Sequence, residues 1–177
     1  WCHISNTLSG KSMCKKKSFQ ESKQELSTLL DAKIQSTMVS DVPLGAFLSG
    51  GYDSSCVVAM MQKNSMEKIK TFSIGFSNQA FNEAIYAKQI SDYLGTEHYE
   101  QYVTQEDLID TIMKLPDIYT EPFADSSQIP TVMLSELTKS HVTVSLSGDG
   151  EDELFGGYGR YFLGEKLKKT IGMAPHS

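Results

Sequence analysis

Cysteine is scarce in this chain: Cys2, Cys14 and Cys56 are the three among 177 residues. An odd number without close pairing does not make a disulfide framework. Cys2-His3 followed by Cys14 also lacks the paired ligand spacing of a zinc site. Reduced thiols and a cytoplasmic location are expected. No apolar run approaches the ~18 residues that would cross a membrane, and no secretory leader is recognisable. Basic residues are outnumbered, with 16 Lys and Arg against 22 Asp and Glu for a net charge of −6. A nucleic acid or an anionic membrane surface is therefore not an expected partner. The one basic cluster, Lys15-Lys16-Lys17 with Lys11 and Lys23 nearby, reads as a solvated leader. There is no internal repeat and no low-complexity tract.

What is present is an ordinary globular composition, 40% hydrophobic and 21% charged, of a size that suits one domain. Residues 1–18 are polar and rich in Ser and Lys, and read as a linker. From Gln20 to Met38 the apolar residues Leu26, Leu29, Leu30, Ile34 and Met38 fall at helical spacing, with Ser18 or Ser22 placed to start the helix. Strand-like and helix-like segments then alternate. Strands are expected at 43–48, 69–76, 97–103 and 141–146. Helices are expected at 54–63, 81–94 (closed by Gly95), 105–115 and 131–139. A proline-bearing loop with Pro116, Pro122 and Pro130 separates the last two. This alternation predicts an α/β fold with a mainly parallel sheet and helices on both faces.

Two loops carry the chemistry. In the first, Gly45-Ala46-Phe47-Leu48 ends in Ser49-Gly50-Gly51, followed by Tyr52-Asp53-Ser54-Ser55 and an apolar helical series. A strand, a glycine turn and a helix start make an anion site, because the first backbone N–H groups of a helix are unpaired and lie at the positive end of its dipole. Glycines let the backbone approach a phosphate, while Ser49, Ser54 and Ser55 offer hydroxyl donors and Asp53 a magnesium ligand. The loop has no Lys of the Gly-x-x-x-x-Gly-Lys-Ser/Thr kind, which suits a pyrophosphate better than a transferred γ-phosphoryl group. A plain glycine turn before a Ser-capped helix uses the same letters, and the whole strand–turn–helix run favours the anion site.

The second loop repeats the plan: Ser145-Leu146 leads into Ser147-Gly148-Asp149-Gly150-Glu151-Asp152-Glu153. Ligands of open α/β sheets sit beyond the carboxyl ends of the strands. With the two strands side by side, both loops border one crevice, where Asp53 and Asp152 share a magnesium ion and Asp149 handles a proton or steers an amine. An acidic helix start would read the same in isolation. The loop Glu121-Pro122-Phe123-Ala124-Asp125-Ser126-Ser127 either lines a substrate pocket or merely connects two helices. His98 reads as structural, Cys56 as a small core residue, and Met60 and Met61 as core and helix surface.

The run Val42-Pro43-Leu44-Gly45-Ala46-Phe47-Leu48-Ser49-Gly50-Gly51-Tyr52-Asp53-Ser54-Ser55 resembles the pyrophosphate loop of glutamine-dependent asparagine synthetases. Thr71-Phe72-Ser73-Ile74-Gly75-Phe76, Gly95-Thr96-Glu97-His98 and Leu146 to Tyr158 match the same family in order and spacing. The likeness runs from about Ser40 to Phe162.

The resemblance implies an adenine-nucleotide α-hydrolase-like fold that uses ATP and magnesium. It implies activation of aspartate as an acyl-adenylate with pyrophosphate release, then attack by ammonia, supplied from glutamine by a glutaminase domain, to give the amide. By position, Leu48, Ile74 and Gly148 would contact the adenosine. Ser49, Gly50, Gly51, Ser54 and Ser55 would hold the pyrophosphate, Ser147 would also bind the nucleotide, and Asp53 and Asp152 would bind the metal. Tyr52 stands where the family usually has an aliphatic residue, and Asp149 where it often has Glu. On this reading residues 19–177 are the synthetase domain without its later helical part, the N-terminal glutaminase domain is absent, and a homodimer is possible. A relative that amidates another carboxylate, on a sugar or a secondary metabolite, and a non-catalytic nucleotide-binding module are the alternatives.

Overall fold

The computed structural model describes residues 17–77 and 82–171. Residues 1–16 of the expected linker, with Cys2, Cys14 and most of the basic cluster, fall outside them, as does Phe81 at the expected start of one helix. The chain divides into two units at Thr37/Met38. The first contributes helix α1, Phe19–Thr37. Its start is a capping pair: Glu21 N–H donates to the Ser18 hydroxyl at 3.2 Å, and Ser18 N–H to the Glu21 carboxylate at 2.8 Å.

The second unit holds the α/β fold. In order it contains β1 (Leu44–Phe47), α2 (Tyr52–Lys63), β2 (Lys70–Phe76), α3 (Ala84–Leu94), β3 (Glu97–Val103), α4 (Gln105–Ile118), α5 (Gln128–Lys139), β4 (Val144–Leu146), α6 (Glu151–Phe155) and α7 (Gly159–Ile171). The four strands form one sheet in the order β3-β2-β1-β4, and every pairing is parallel. Successive right-handed crossovers from β1 to β2 to β3 carry α2 and α3 over one face. The return from β3 to β4 runs the other way and carries α4 and α5 over the opposite face. Consistent with this, α2 packs on α3, and α4 on α5. Because the crossovers diverge from β1, the sheet has its switch point between β1 and β4, where a crevice opens beyond the strand ends.

The core lies under that crevice. Ala46, Leu48, Val58, Met61, Phe72 and Ala87 are buried. Phe72 stacks on Tyr99 at 5.5 Å between ring centroids, and a Cβ on Gly45 would lie 2.7 Å from its ring. Burying such a ring contributes about 1.5–3 kcal/mol.

Several boundaries differ from expectation. Helix α2 begins two residues early, at Tyr52, and α4 runs through Pro116 to Ile118. A proline removes one N–H donor, yet the last turn still closes, because Tyr119 N–H donates to Leu115 O at 3.0 Å. Pro130 sits in the first turn of α5, where its missing N–H would have had no helical partner. Strand β4 is three residues long, since Thr143 and Val144 both donate to the carbonyl of Pro43 where the chain enters the sheet. Gly95 closes α3 in the left-handed conformation, φ 74°. Cys56 is exposed on α2, not in the core. Of the two methionines it is Met61 that is fully buried, while Met60 is half-buried.

Candidate active site

The loop after β1 is built on Gly50. Its φ of 87° is open to glycine, and a Cβ there would lie 2.7 Å from Tyr86 Cβ and 2.9 Å from Ala87 N of α3. The turn therefore rests directly on the neighbouring helix. Ser54 ties it together: its hydroxyl accepts from Ser49 N–H at 3.2 Å, meets the Ser49 hydroxyl at 3.0 Å and donates to Gly51 O at 3.3 Å. Ser49 also accepts from Gly51 N–H at 3.2 Å, and Ser55 donates to Gly51 O at 2.5 Å. The three hydroxyls expected as ligand donors thus hold the loop's own shape here. The first helical bond of α2 is Ser55 N–H to Gly51 O, 3.1 Å. The N–H groups of Tyr52, Asp53 and Ser54 precede it and have no partner within the helix.

The second loop lies against the first. A Cβ on Gly148 would sit 2.8 Å from Ser54 N and 3.1 Å from Asp53 Cβ. Only a residue without a side chain lets the two turns approach so closely. Between them opens a cavity of about 730 Å³. Its walls bring together Leu48, Ser49, Asp53, Ser54, Ile74, Ser147, Gly148 and Asp149. Asp149 N–H reaches the Ser147 hydroxyl at 3.4 Å. Gly50, Gly51 and Ser55 form the frame of the first loop behind this wall, and Tyr52 points away from it, 96% exposed.

Sequence reasoning singled out Asp152 as the partner of Asp53, yet the carboxyl that bonds to the Asp53 side chain is Glu151. Burial, the Asp53 charge, that hydrogen bond and the Asp152 charge together raise the Glu151 pKa. The Asp152 carboxylate is turned toward Gly157 and fills the place where a Cβ on that residue would lie. A thiol reports on the same field: partial burial first, then the charges of Glu151 and Asp53, push the Cys56 pKa up. Three carboxylates thus lie close together, and of these Asp53 lines the cavity. Among the described residues no Lys or Arg forms an ion pair with any of them, and no three metal-binding side chains converge on one point.

The far wall was only partly foreseen. Ser126, Ser127, Pro130, Thr131 and Leu134 of the Glu121–Ser127 loop and α5 line the cavity. Asp125 holds this corner by accepting from Ser127 N–H at 2.8 Å and the Ser127 hydroxyl at 2.7 Å, which lower its pKa. Ser73 also faces the cavity, beside Ile74. Its alternation with Phe72 along β2 could have marked it as a residue of the opposite face. His98 is half-buried on β3 and bonded through both ring nitrogens, at 2.9 Å to the Thr71 hydroxyl and 3.1 Å to that of Ser73.

Comparison with known proteins agrees with this geometry. A family model described as asparagine synthase matches residues 25–174. The chain is 45% identical over 154 residues to the putative glutamine-hydrolysing asparagine synthetase 2 of Methanocaldococcus jannaschii, covering 86% of this chain and 29% of that protein. It is 44% identical over 124 residues to asparagine synthetase 1 of Bacillus subtilis, covering 70% of this chain and 20% of that protein. With asparagine synthetase B of Escherichia coli it shares 31% over 154 residues, 77% of this chain and 27% of that protein. The chain therefore spans less than a third of the length of these relatives. Among solved structures, the NH3-dependent NAD synthetase of Campylobacter jejuni superposes with a TM-score of 0.52 at 18% identity, over 77% of this chain and 60% of that one. That likeness shows the fold, of the adenine-nucleotide α-hydrolase-like kind.

Proposed function

The chain belongs to the asparagine synthase family, and on that premise we propose that it is the ATP-using part of an amide-forming ligase. In this reading ATP activates the side-chain carboxylate of aspartate as β-aspartyl-AMP with release of pyrophosphate, and ammonia derived from glutamine then gives asparagine. The observation that carries the reading is the single cavity walled by both Ser-Gly loops at the sheet's switch point. The family match over 25–174 supports assigning residues 19–177 to the synthetase domain, with 1–18 as a linker. A glutaminase domain elsewhere in the full-length protein would be the ammonia source.

Each side chain has a task in this scheme. The N–H groups at the start of α2, with Gly50 and Gly51, take the pyrophosphate, and the Ser49, Ser54 and Ser55 hydroxyls fix the loop that presents them. Leu48, Ile74, Ser147 and Gly148 hold the nucleoside. Negative charge grows on the α-phosphate and the leaving pyrophosphate, so preformed donors aimed there lower the barrier. Asp149, on the cavity wall, orients the incoming ammonia or accepts its proton. Ser126 and Ser127 stand where the acceptor carboxylate enters.

Magnesium fits this site. Crowded hard oxygen donors without a cationic partner, one with its pKa raised by burial and by its neighbours' charge, are the surroundings a phosphate-bound magnesium ion requires. Asp53 and Asp152 would hold it, Asp152 after turning its carboxylate from Gly157 toward Asp53. When bound, the ion neutralises charge on the phosphate oxygens.

The test is pyrophosphate release from ATP by the full-length protein, with and without aspartate. Release is expected to rise with aspartate and to yield asparagine once glutamine or ammonia is present. Release stimulated by a different carboxylate and not by aspartate would reassign the acceptor.

A further inference from the structure

A chain of hydrogen bonds runs from α3 across two strands into the cavity, and its protons can be counted. The Thr96 hydroxyl donates to Ser91 Oγ at 2.8 Å. That spends its single proton, so in its 3.1 Å contact with Thr71 it must accept. Thr71, fully buried, thereby spends its own proton. In the 2.9 Å contact between Thr71 Oγ1 and His98 Nδ1 the donor is therefore the ring nitrogen. Thr71 and His98 are register partners across β2 and β3, so this contact is set by the sheet itself. Burial lowers the His98 pKa, and a neutral imidazole carries one proton, which here is on Nδ1. Nε2 is then an acceptor, and in its 3.1 Å contact with Ser73 the serine hydroxyl donates.

Ser73 lines the cavity, with its proton already committed to His98. We infer that Ser73 shows only lone pairs to the ligand and recognises a hydrogen-bond donor on the nucleoside half of the bound nucleotide, with His98 as the positioning residue that fixes its hydroxyl. Phosphate oxygens are acceptors and would face lone pair against lone pair, so Ser73 is excluded from the pyrophosphate site that the Ser49–Ser55 loop serves. The donors an adenosine can offer are its exocyclic amine and its two ribose hydroxyls. The inference rests on the ATP reading above and adds to it a residue that discriminates between nucleotides.

Calorimetric titrations with ATP, inosine triphosphate, 2′-deoxy-ATP, 3′-deoxy-ATP and pyrophosphate test it. The unmodified chain should prefer ATP over one of the three analogues by about two- to ten-fold, the value of one hydrogen bond, and that analogue names the donor. Ser73→Ala should erase this preference and leave pyrophosphate affinity unchanged, which also shows that the variant is folded. His98→Phe should erase it too, whereas His98→Gln, whose amide oxygen can stand in for Nε2 as an acceptor, should restore part of it. A Ser73→Ala protein that keeps the full preference, or weakens ATP, its analogues and pyrophosphate alike, overturns the inference while the ATP reading stands. An unmodified protein that binds neither ATP nor pyrophosphate overturns both.

Discussion

Gly148 and Asp53 are the two residues on which the crevice depends most directly. Replacing Gly148 with Ala puts a methyl group 2.8 Å from a backbone nitrogen of the facing helix, which has no freedom to withdraw. Nucleotide affinity is expected to fall at least ten-fold in Gly148→Ala, measured by titration, with a smaller effect on melting temperature. Asp53→Asn keeps the size and removes the charge. It should abolish pyrophosphate release while the circular dichroism spectrum is retained, and turnover in a folded Asp53→Asn protein would remove the metal role. His98 supplies a pH signature. Its pKa is depressed in the fold by burial, so below its unfolded value of about 6.5 the unfolded chain takes up a proton first. The stability linked to His98 is fully present above that pH and is lost as pH falls through it. Urea midpoints between about pH 7 and 5 should show this slope, and His98→Gln should lack it. At this scale the sequence was legible where spacing is rigid and illegible where adjacent residues compete. Asp152 and Glu151 are neighbours on a five-residue helix, and about 100° of rotation decides which one meets Asp53. Nothing in the letters settles that angle.

Among the elements, α4 shows both halves of this lesson. Its start is written in the sequence: Thr104 accepts from Asp107 N–H at 3.2 Å, and Asp107 accepts from Thr104 N–H at 2.8 Å. The Thr104 hydroxyl, at 2.7 Å, and the Thr104 N–H both donate to the Asp107 carboxylate and lower its pKa, so the cap holds above the usual carboxylate range and weakens as pH falls. Its end is not so written. Pro116 reads as a stop, and the helix continues for two more residues, because one lost bond is outweighed by the closure of the final turn. Pro116→Ala should raise the stability of α4 by up to about 3 kcal/mol, seen as a higher denaturation midpoint. Strands β1 and β4 were readable because each runs into a Ser-Gly turn, and β2 and β3 because they are β-branched and aromatic runs. The helical start of α5 was hidden by Pro130, whose place in the first turn is harmless for a reason that concerns hydrogen bonds and not propensity.

For the molecule as a whole, the strand order decides everything else. The alternation of strands and helices announced a parallel sheet, but β4 beside β1 could only be assumed from the twin loops until the register paired Ala46 with Leu146. Phe72 anchors this arrangement from beneath, wedged under Gly45 and stacked on Tyr99. Phe72→Ala should cost about 3–5 kcal/mol and loosen both loops together, so melting temperature and nucleotide affinity should fall in step. The same strand order has a consequence for synthesis. A nascent chain that has emerged only as far as Lys139 already possesses the whole first loop but not the Ser147-Gly148 turn that faces it, because β4 follows the other described strands in sequence and pairs with the first of them. Nucleotide affinity should therefore stay weak until β4 has docked, which makes it a gauge of that step.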